Sequence, residues 1–193
     1  MKVVIIKYNA GNVCSVAFAL GRIGITAEVS EDAQEILSAD KVIFPGVGEA
    51  GTAMEYLKEK MLDELIPSLK QDVLGICLGM QLMCSSSEEG NTKGLGIFNQ
   101  EVIRFRGELK CPHMGWNTIS GVNHPLFRGV EEGAYMYFVH SYYAGISADT
   151  LSRAHYGTEF SSGLQKNNFY GLQFHPEKSG KRGQQILENF INL

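Results

Sequence analysis

The sequence predicts an α/β fold: a central, mostly parallel sheet flanked by helices, followed by a more antiparallel C-terminal half. Three observations carry this. Through the first half, short apolar runs alternate with segments whose apolar residues recur at helical spacing, as in strands joined by crossover helices. From about Gln100 that spacing gives way to short strand-like runs separated by Gly, Pro and Asn. Finally, 193 residues of which 44% are hydrophobic suffice for one sizeable core, so a single domain over 1–193 is expected.

Val3 to Ile6 is a continuous apolar run and reads as the first strand. After a turn at Asn9 to Asn12, the residues Val13, Val16, Ala17, Leu20 and Ile23 line one helix face, which Gly24 closes. Ile25 to Val29 is the next strand, Ser30 the N-cap of a helix over Glu31 to Leu37, and Lys41 to Phe44 a third strand ending at Pro45. Beyond a glycine-rich turn at Gly46 to Gly51, Met54, Leu57, Met61 and Leu65 place Thr52 to Leu69 in one helix, its last turn disturbed by Pro67. Val73 to Ile76 returns as a strand. In the second half, strands are expected at Glu101 to Phe105, Trp116 to Ile119, Ala134 to Val139, Ser152 to Tyr156 and Tyr170 to Phe174. A closing helix over Gln184 to Ile191 docks through Ile186, Leu187, Phe190 and Ile191.

Seventeen Lys and Arg stand against 21 Asp and Glu, for a net charge of −4, and no basic run exceeds Lys181-Arg182. That excludes the electrostatic footprint of a nucleic-acid binder. No stretch has the length of a membrane span, and the N-terminal apolar run meets Lys7 and then turn residues, so it reads as a strand and not a signal peptide. Four cysteines at 14, 77, 84 and 111 form no Cys-x-x-Cys pair, which fits a reducing cytoplasm. Cys14 and Cys84 fall on helix-like apolar stretches and Cys111 beside Pro112, all three as packing residues. Cys111-x-His113 lacks the further ligands a metal would need, so neither metal nor cofactor is expected.

The most informative stretch runs from Val73 to Leu82: an apolar strand, then Gly75-Ile76-Cys77-Leu78-Gly79, then a helix-compatible run. It is the cysteine form of a nucleophile elbow, a strained strand-to-helix turn that exposes one side chain at the C-terminal edge of a sheet. The flanking glycines are needed because a Cβ there would collide with neighbouring backbone. A Cys77 thiolate would face free N–H groups at a helix start, which favour its charge and can also bind an oxyanion. The plain alternative is a buried, inert strand-end cysteine.

A thiol needs a base, and the base needs a third group to hold its ring. Phe174-His175-Pro176-Glu177 offers both: in an extended segment residues i and i+2 share a side, so Glu177 can reach the His175 nitrogen facing away from the thiol. His140, in Val139-His140-Ser141, is the competing base. Gly46-Val47-Gly48-Glu49-Ala50-Gly51 matches the dinucleotide fingerprint and follows a strand, but the acidic residue that should bind ribose is missing after Val73 to Ile76. The alternative use of these glycines is to bring N–H groups near Gly46 and Val47 up to Cys77 as a second oxyanion donor.

Pro45-Gly46-Val47-Gly48, Gly75-Ile76-Cys77-Leu78-Gly79-Met80-Gln81 and His175-Pro176-Glu177, in this order, resemble the class I glutamine amidotransferase family over nearly the whole chain. The resemblance implies that family's flavodoxin-like fold and hydrolysis of glutamine to glutamate and ammonia. Cys77 would be the nucleophile, His175 the base and then the acid, and Glu177 its orienting group. By the same resemblance Leu78 N–H and the Gly46 and Val47 amides form the oxyanion hole, while Gln81 and the Ser141-Tyr142 backbone hold glutamine. Tyr8 to Asn12, Pro112 to Asn117 and Phe138 to Tyr143 are similar to the histidine-biosynthesis branch. Its members work as heterodimers with a cyclase subunit, usually a (β/α)₈ barrel, of imidazole glycerol phosphate synthase.

The implied docking residues are Asn9, Asn12, Trp116 and Lys178, although a lone tryptophan such as Trp116 is as readily a core residue. Lys7 and Ala10 depart from the Asp and Gly usual in that branch, at the implied docking face. Two alternatives remain open: a sibling glutaminase, such as one of the anthranilate branch, and a non-catalytic nucleotide-binding flavodoxin-like module.

Overall fold

The computed structural model describes residues 1–9 and 12–193, so Ala10 lies outside them. Alternate residues of β1 (Val3–Ile6) enter two separate cores, Val4 and Ile6 one of them, Val3 and Ile5 the other. A strand sandwiched in this way needs an unbroken apolar run, because both of its faces leave water. The first core is closed by α3 (Ala50–Glu59) and α4 (Leu62–Ser68) through Ala53, Leu57 and Ile66. The second is closed by α1 (Val13–Arg22) and α6 (Gly180–Ile191) through Val16, Leu20, Ile186 and Phe190.

Between these layers lies a seven-stranded sheet in the order β11-β12-β13-β4-β3-β1-β2. It comprises β1 with β2 (Ala27–Ser30), β3 (Lys41–Gly46), β4 (Asp72–Cys77), β11 (Thr150–Tyr156), β12 (Thr158–Lys166) and β13 (Phe169–Leu172). The pairings from β2 to β13 are parallel, and those of β12 with β13 and β11 are antiparallel. The expected mixed sheet, parallel first and antiparallel later in the chain, is therefore present. A second sheet, β10-β7-β5-β6, contains β5 (Cys84–Ser87), β6 (Thr92–Lys93), β7 (Phe98–Arg104) and β10 (Tyr142–Ala144), and β8 (His113–Thr118) pairs antiparallel with β9 (Tyr135–His140).

Several boundaries differ from the sequence reading, each for a local reason. Asp32, not Ser30, caps α2 (Ala33–Leu37), its carboxylate accepting from Gln34 and Glu35 N–H while Ser30 Oγ accepts from Asp32 N. β3 runs through Pro45 to Gly46 and stays in register with β4. The single helix expected over Thr52 to Leu69 breaks at Met61, which adopts a left-handed conformation (φ 55°), and Pro67 sits one residue before the end of α4. The fifth helix, α5 (Leu78–Leu82), gives way at once to β5, so Cys84 lies on a strand and not on a helix. Cys14 and Cys111 are exposed, contrary to a packing role. Among the described residues no helix is long and apolar enough to cross a membrane.

Candidate active site

β4 ends between two parallel neighbours, and their register determines what surrounds its last residue. Gly46 of β3 pairs with Cys77, while Leu172 of β13 pairs with Ile76, so Gln173 and His175 emerge beside the cysteine. Residues far apart in sequence thus converge at the C-terminal edge of the sheet, where ligands bind in open α/β sheets.

Cys77 has φ 53° and ψ −109°, a backbone conformation that a side chain rarely tolerates. Leu78 opens α5 immediately after it, leaving first-turn N–H groups without partners within the helix. The glycines on either side are steric necessities. A Cβ at Gly79 would run into the Phe44 carbonyl oxygen, and one at Gly75 into the Met83 methyl with Met80 N at 2.9 Å. Gly79→Ala is accordingly expected to destabilise the fold by about 1–3 kcal/mol or more, seen as a lowered thermal midpoint. An alanine variant as stable as the parent would contradict this packing.

His175 Nδ1 donates to Glu177 Oε1 at 2.8 Å, and both side chains are essentially inaccessible to solvent. The segment is not extended as the sequence suggested. Pro176–Lys178 forms a turn of 3₁₀ helix, and that turn folds Glu177 back onto the ring. Burial pulls the His175 pKa down, but the Cys77 sulfur, as a charge and as a hydrogen-bond partner, and then Glu177 pull it up to about 10. Nε2 is buried with no hydrogen-bond partner among the described residues, and the Cys77 sulfur that acts on its pKa lies 3.8 Å from Val139 O. A ring that keeps its proton at neutral pH is the counter-ion a thiolate requires.

The thiol opens on a cavity of about 310 Å³ whose lining includes Val47, Leu78, Gln81, Glu89, Ser141 and Tyr142. Gln81 Nε2 donates to Tyr142 O at 2.8 Å and to Gln173 Oε1 at 3.0 Å, while Gln173 Nε2 points at Cys77 Sγ at 3.8 Å. On the β1 side, Tyr8 donates to Pro45 O at 2.6 Å. Burial, with the Cys77 charge behind it, holds the Tyr8 phenol well above its usual pKa, so it remains a donor. Sequence reasoning passed over Glu89 and Gln173 and met Tyr8 only within the Tyr8 to Asn12 resemblance, with no role at the site, since none belongs to a local pattern with the cysteine. Only strand register and the pocket bring them to it.

His140 is not placed to serve as the base. Burial above all pushes its pKa down to about 3 and that of His113 to about 4, so both rings are neutral. His140 Nδ1 donates to Tyr142 O at 2.7 Å, which leaves Nε2 to accept from His113 Nδ1 at 3.0 Å. The pair thus supports the Ser141-Tyr142 rim. The dinucleotide reading of the glycine loop fails too. Glu49 accepts from Gly51 and Thr52 N–H and Glu89 from Ala50 N–H, so carboxylates fill the helix start where a phosphate would sit. Among the described residues there is no metal-binding group of His, Cys, Asp and Glu.

Of the other sequence candidates, Trp116 is 56% exposed and therefore not a core residue. The exposed Lys178 holds its Nζ 5.9 Å from the centre of the Tyr137 ring, and Trp116 meets that ring edge-on at 5.9 Å. Asn9 donates to Thr52 O at 3.1 Å, whereas Asn12 turns inward and donates to Glu177 Oε1 at 2.9 Å.

The family profile described as "Glutamine amidotransferase class-I" matches residues 4–193. Over 196 residues covering both chains entirely, the sequence is 55% identical to imidazole glycerol phosphate synthase subunit HisH of Bacteroides fragilis. It is 45% identical over 200 residues to subunit HisH 1 of Vibrio vulnificus, covering all of this chain and 98% of that one. A crystal structure of a glutamine amidotransferase superposes with a TM-score of 0.76, covering 98% of this chain and 97% of the other, at 16% identity, a likeness of fold alone.

Proposed function

The chain belongs to the class I glutamine amidotransferase family, and from that membership we propose that it hydrolyses glutamine as the glutaminase subunit of an imidazole glycerol phosphate synthase, the whole of 1–193 acting as one domain. The observation that carries the chemistry is the buried His175 ring, bonded to Glu177 and drawn up in pKa by the Cys77 sulfur, beside a cavity of amino-acid size. No cofactor enters the scheme. Cys77 attacks the side-chain carboxamide carbon of glutamine, and the carbonyl oxygen becomes an oxyanion within reach of Leu78 N–H and of the amides near Gly46 and Val47. His175 gives its proton to the departing nitrogen, releasing ammonia and leaving a thioester. It then takes a proton from water as the water attacks that thioester, and glutamate leaves with the thiol restored. Glu177 keeps the ring in one tautomer throughout.

The free amino acid carries an ammonium group, and the half-buried Glu89 is the carboxylate placed to receive it. Burial raises the Glu89 pKa more than the Ala50 N–H lowers it, so Glu89 gains from a cation. Gln81 and the Ser141-Tyr142 backbone bind the remaining polar groups. Ammonia then passes to a second subunit, as the subunit names of the relatives imply; we assign that role to the cyclase, a (β/α)₈ barrel carrying the acceptor site. The exposed Trp116 and Lys178, with Asn9, form the face it meets. Four free thiols fit a cytoplasmic setting.

Glutamate release, measured with and without the cyclase and its nucleotide ligand, tests the assignment. Turnover is expected to rise on adding both, and to rise less for Lys178→Ala. Equal rates in every condition would remove the coupling while leaving the triad standing. Stimulation by an anthranilate-branch partner instead would move the chain to the sibling activity.

A further inference from the structure

Asn12 stands at the N-cap of α1, a position where an asparagine side chain ordinarily accepts from the N–H groups of the first helical turn. Here it makes no such bond. Its amide Nδ2 instead donates to Glu177 Oε1 at 2.9 Å, the same oxygen that accepts from His175 Nδ1 at 2.8 Å. The other carboxylate oxygen, Oε2, is buried and without a partner among the described residues, so these two donors decide which way the carboxylate faces. Asn12 is not among the residues lining the glutamine cavity.

We propose that Asn12 is a positioning residue of the triad: its amide locks the Glu177 carboxylate against His175 and so sets the ring toward Cys77. Without that donor, the carboxylate keeps one hydrogen bond and is free to swing its unpartnered oxygen toward the ring, and the imidazole loses its fixed seat. A partner touching Asn12 would then act one hydrogen bond away from the triad. This inference rests on the Cys77, His175 and Glu177 assignment above.

Asn12→Asp separates positioning from a helix-cap role. Aspartate has the same shape, is as good an N-cap as asparagine and suits the positive helix end, so α1 should begin as before. As an ionised carboxylate it cannot donate to Glu177, however, and it sets a second negative charge against the first, which raises the pKa of one of the two; the comparison is therefore made at the alkaline end of the pH profile, where neither carboxyl holds a proton to donate. The full chain, with and without its cyclase, is expected to show kcat for glutamine lowered about 10–100-fold with KM within about twofold of the parent. The rate of Cys77 alkylation by iodoacetamide, followed on the Cys77 peptide because Cys14 and Cys111 are exposed, should fall in parallel at an unchanged thermal midpoint.

Combined with Glu177→Gln, the Asn12→Asp effect should shrink, since the two changes act through one contact. Asn12→Ser, which keeps a capping hydroxyl and lacks the reach, serves as the second arm should the charged variant not fold, with the same outcome expected. A folded variant with parental kcat and parental alkylation overturns the inference. If Glu177→Gln is equally silent, the triad reading falls instead.

Discussion

Cys77→Ser is expected to lower glutamine hydrolysis by more than about a thousandfold, the scale of loss when a nucleophile is removed from a catalytic triad. The substitution leaves shape nearly intact. What it changes is the atom that must carry charge: a hydroxyl, far less acidic than a thiol, cannot form the ion pair that raises the His175 pKa to about 10. The other cysteines provide the control. Cys84 is buried on β5, and burial pushes its thiol up to about 12, too weak an acid to act as a nucleophile; Cys14 and Cys111 lie exposed and are not part of the cavity lining. Alanine at Cys14 or Cys111 should leave most of the activity, and Cys84→Ala should act only through packing. A well-folded Cys84→Ala as inactive as Cys77→Ser, in an assay of glutamate release, would show that the nucleophile is misassigned.

The parallel part of the sheet was legible because its strands are buried on both faces and can hold little but apolar residues; Val3 to Ile6 and Val73 to Ile76 announce themselves in this way. β12 did not. Its buried centre includes Ser161 and Ser162, polar residues satisfied by Thr150, Gly145 and Ser152 across the sheet, and such pairing has no trace in local composition. The site divides along the same line. Cys77 and its glycines are local, and so are His175 and Glu177, which made them readable. Gln173 reaches the cysteine only through strand register, and Glu89 reaches the cavity only through the β5 region. Asn12 was named as a docking residue through the resemblance; its bond to Glu177 was not legible, because the use a turn asparagine adopts here depends on a carboxylate at the other end of the chain.

His175→Ala should be as damaging as loss of the thiol, again by more than about a thousandfold, whereas Glu177→Gln should cost clearly less. The ordering follows from what each group does. Without the imidazole, no group accepts the proton of Cys77 or delivers one to the leaving nitrogen, and neither step has a substitute in the cavity, since the neutral His140 already donates to Tyr142 O and accepts from His113. Glutamine at 177 still offers an oxygen to His175 Nδ1; it removes charge and tautomer control, and with them part of the upward pull on the ring. His140→Ala leaves that machinery untouched and removes one of the two donors on the Tyr142 carbonyl, Gln81 Nε2 remaining, so its loss should fall mainly on KM for glutamine. Steady-state kinetics on the three folded variants decide the matter: if His140→Ala abolishes turnover while His175→Ala retains it, His140 is the base, and the raised pKa of His175 reflects a structural ion pair.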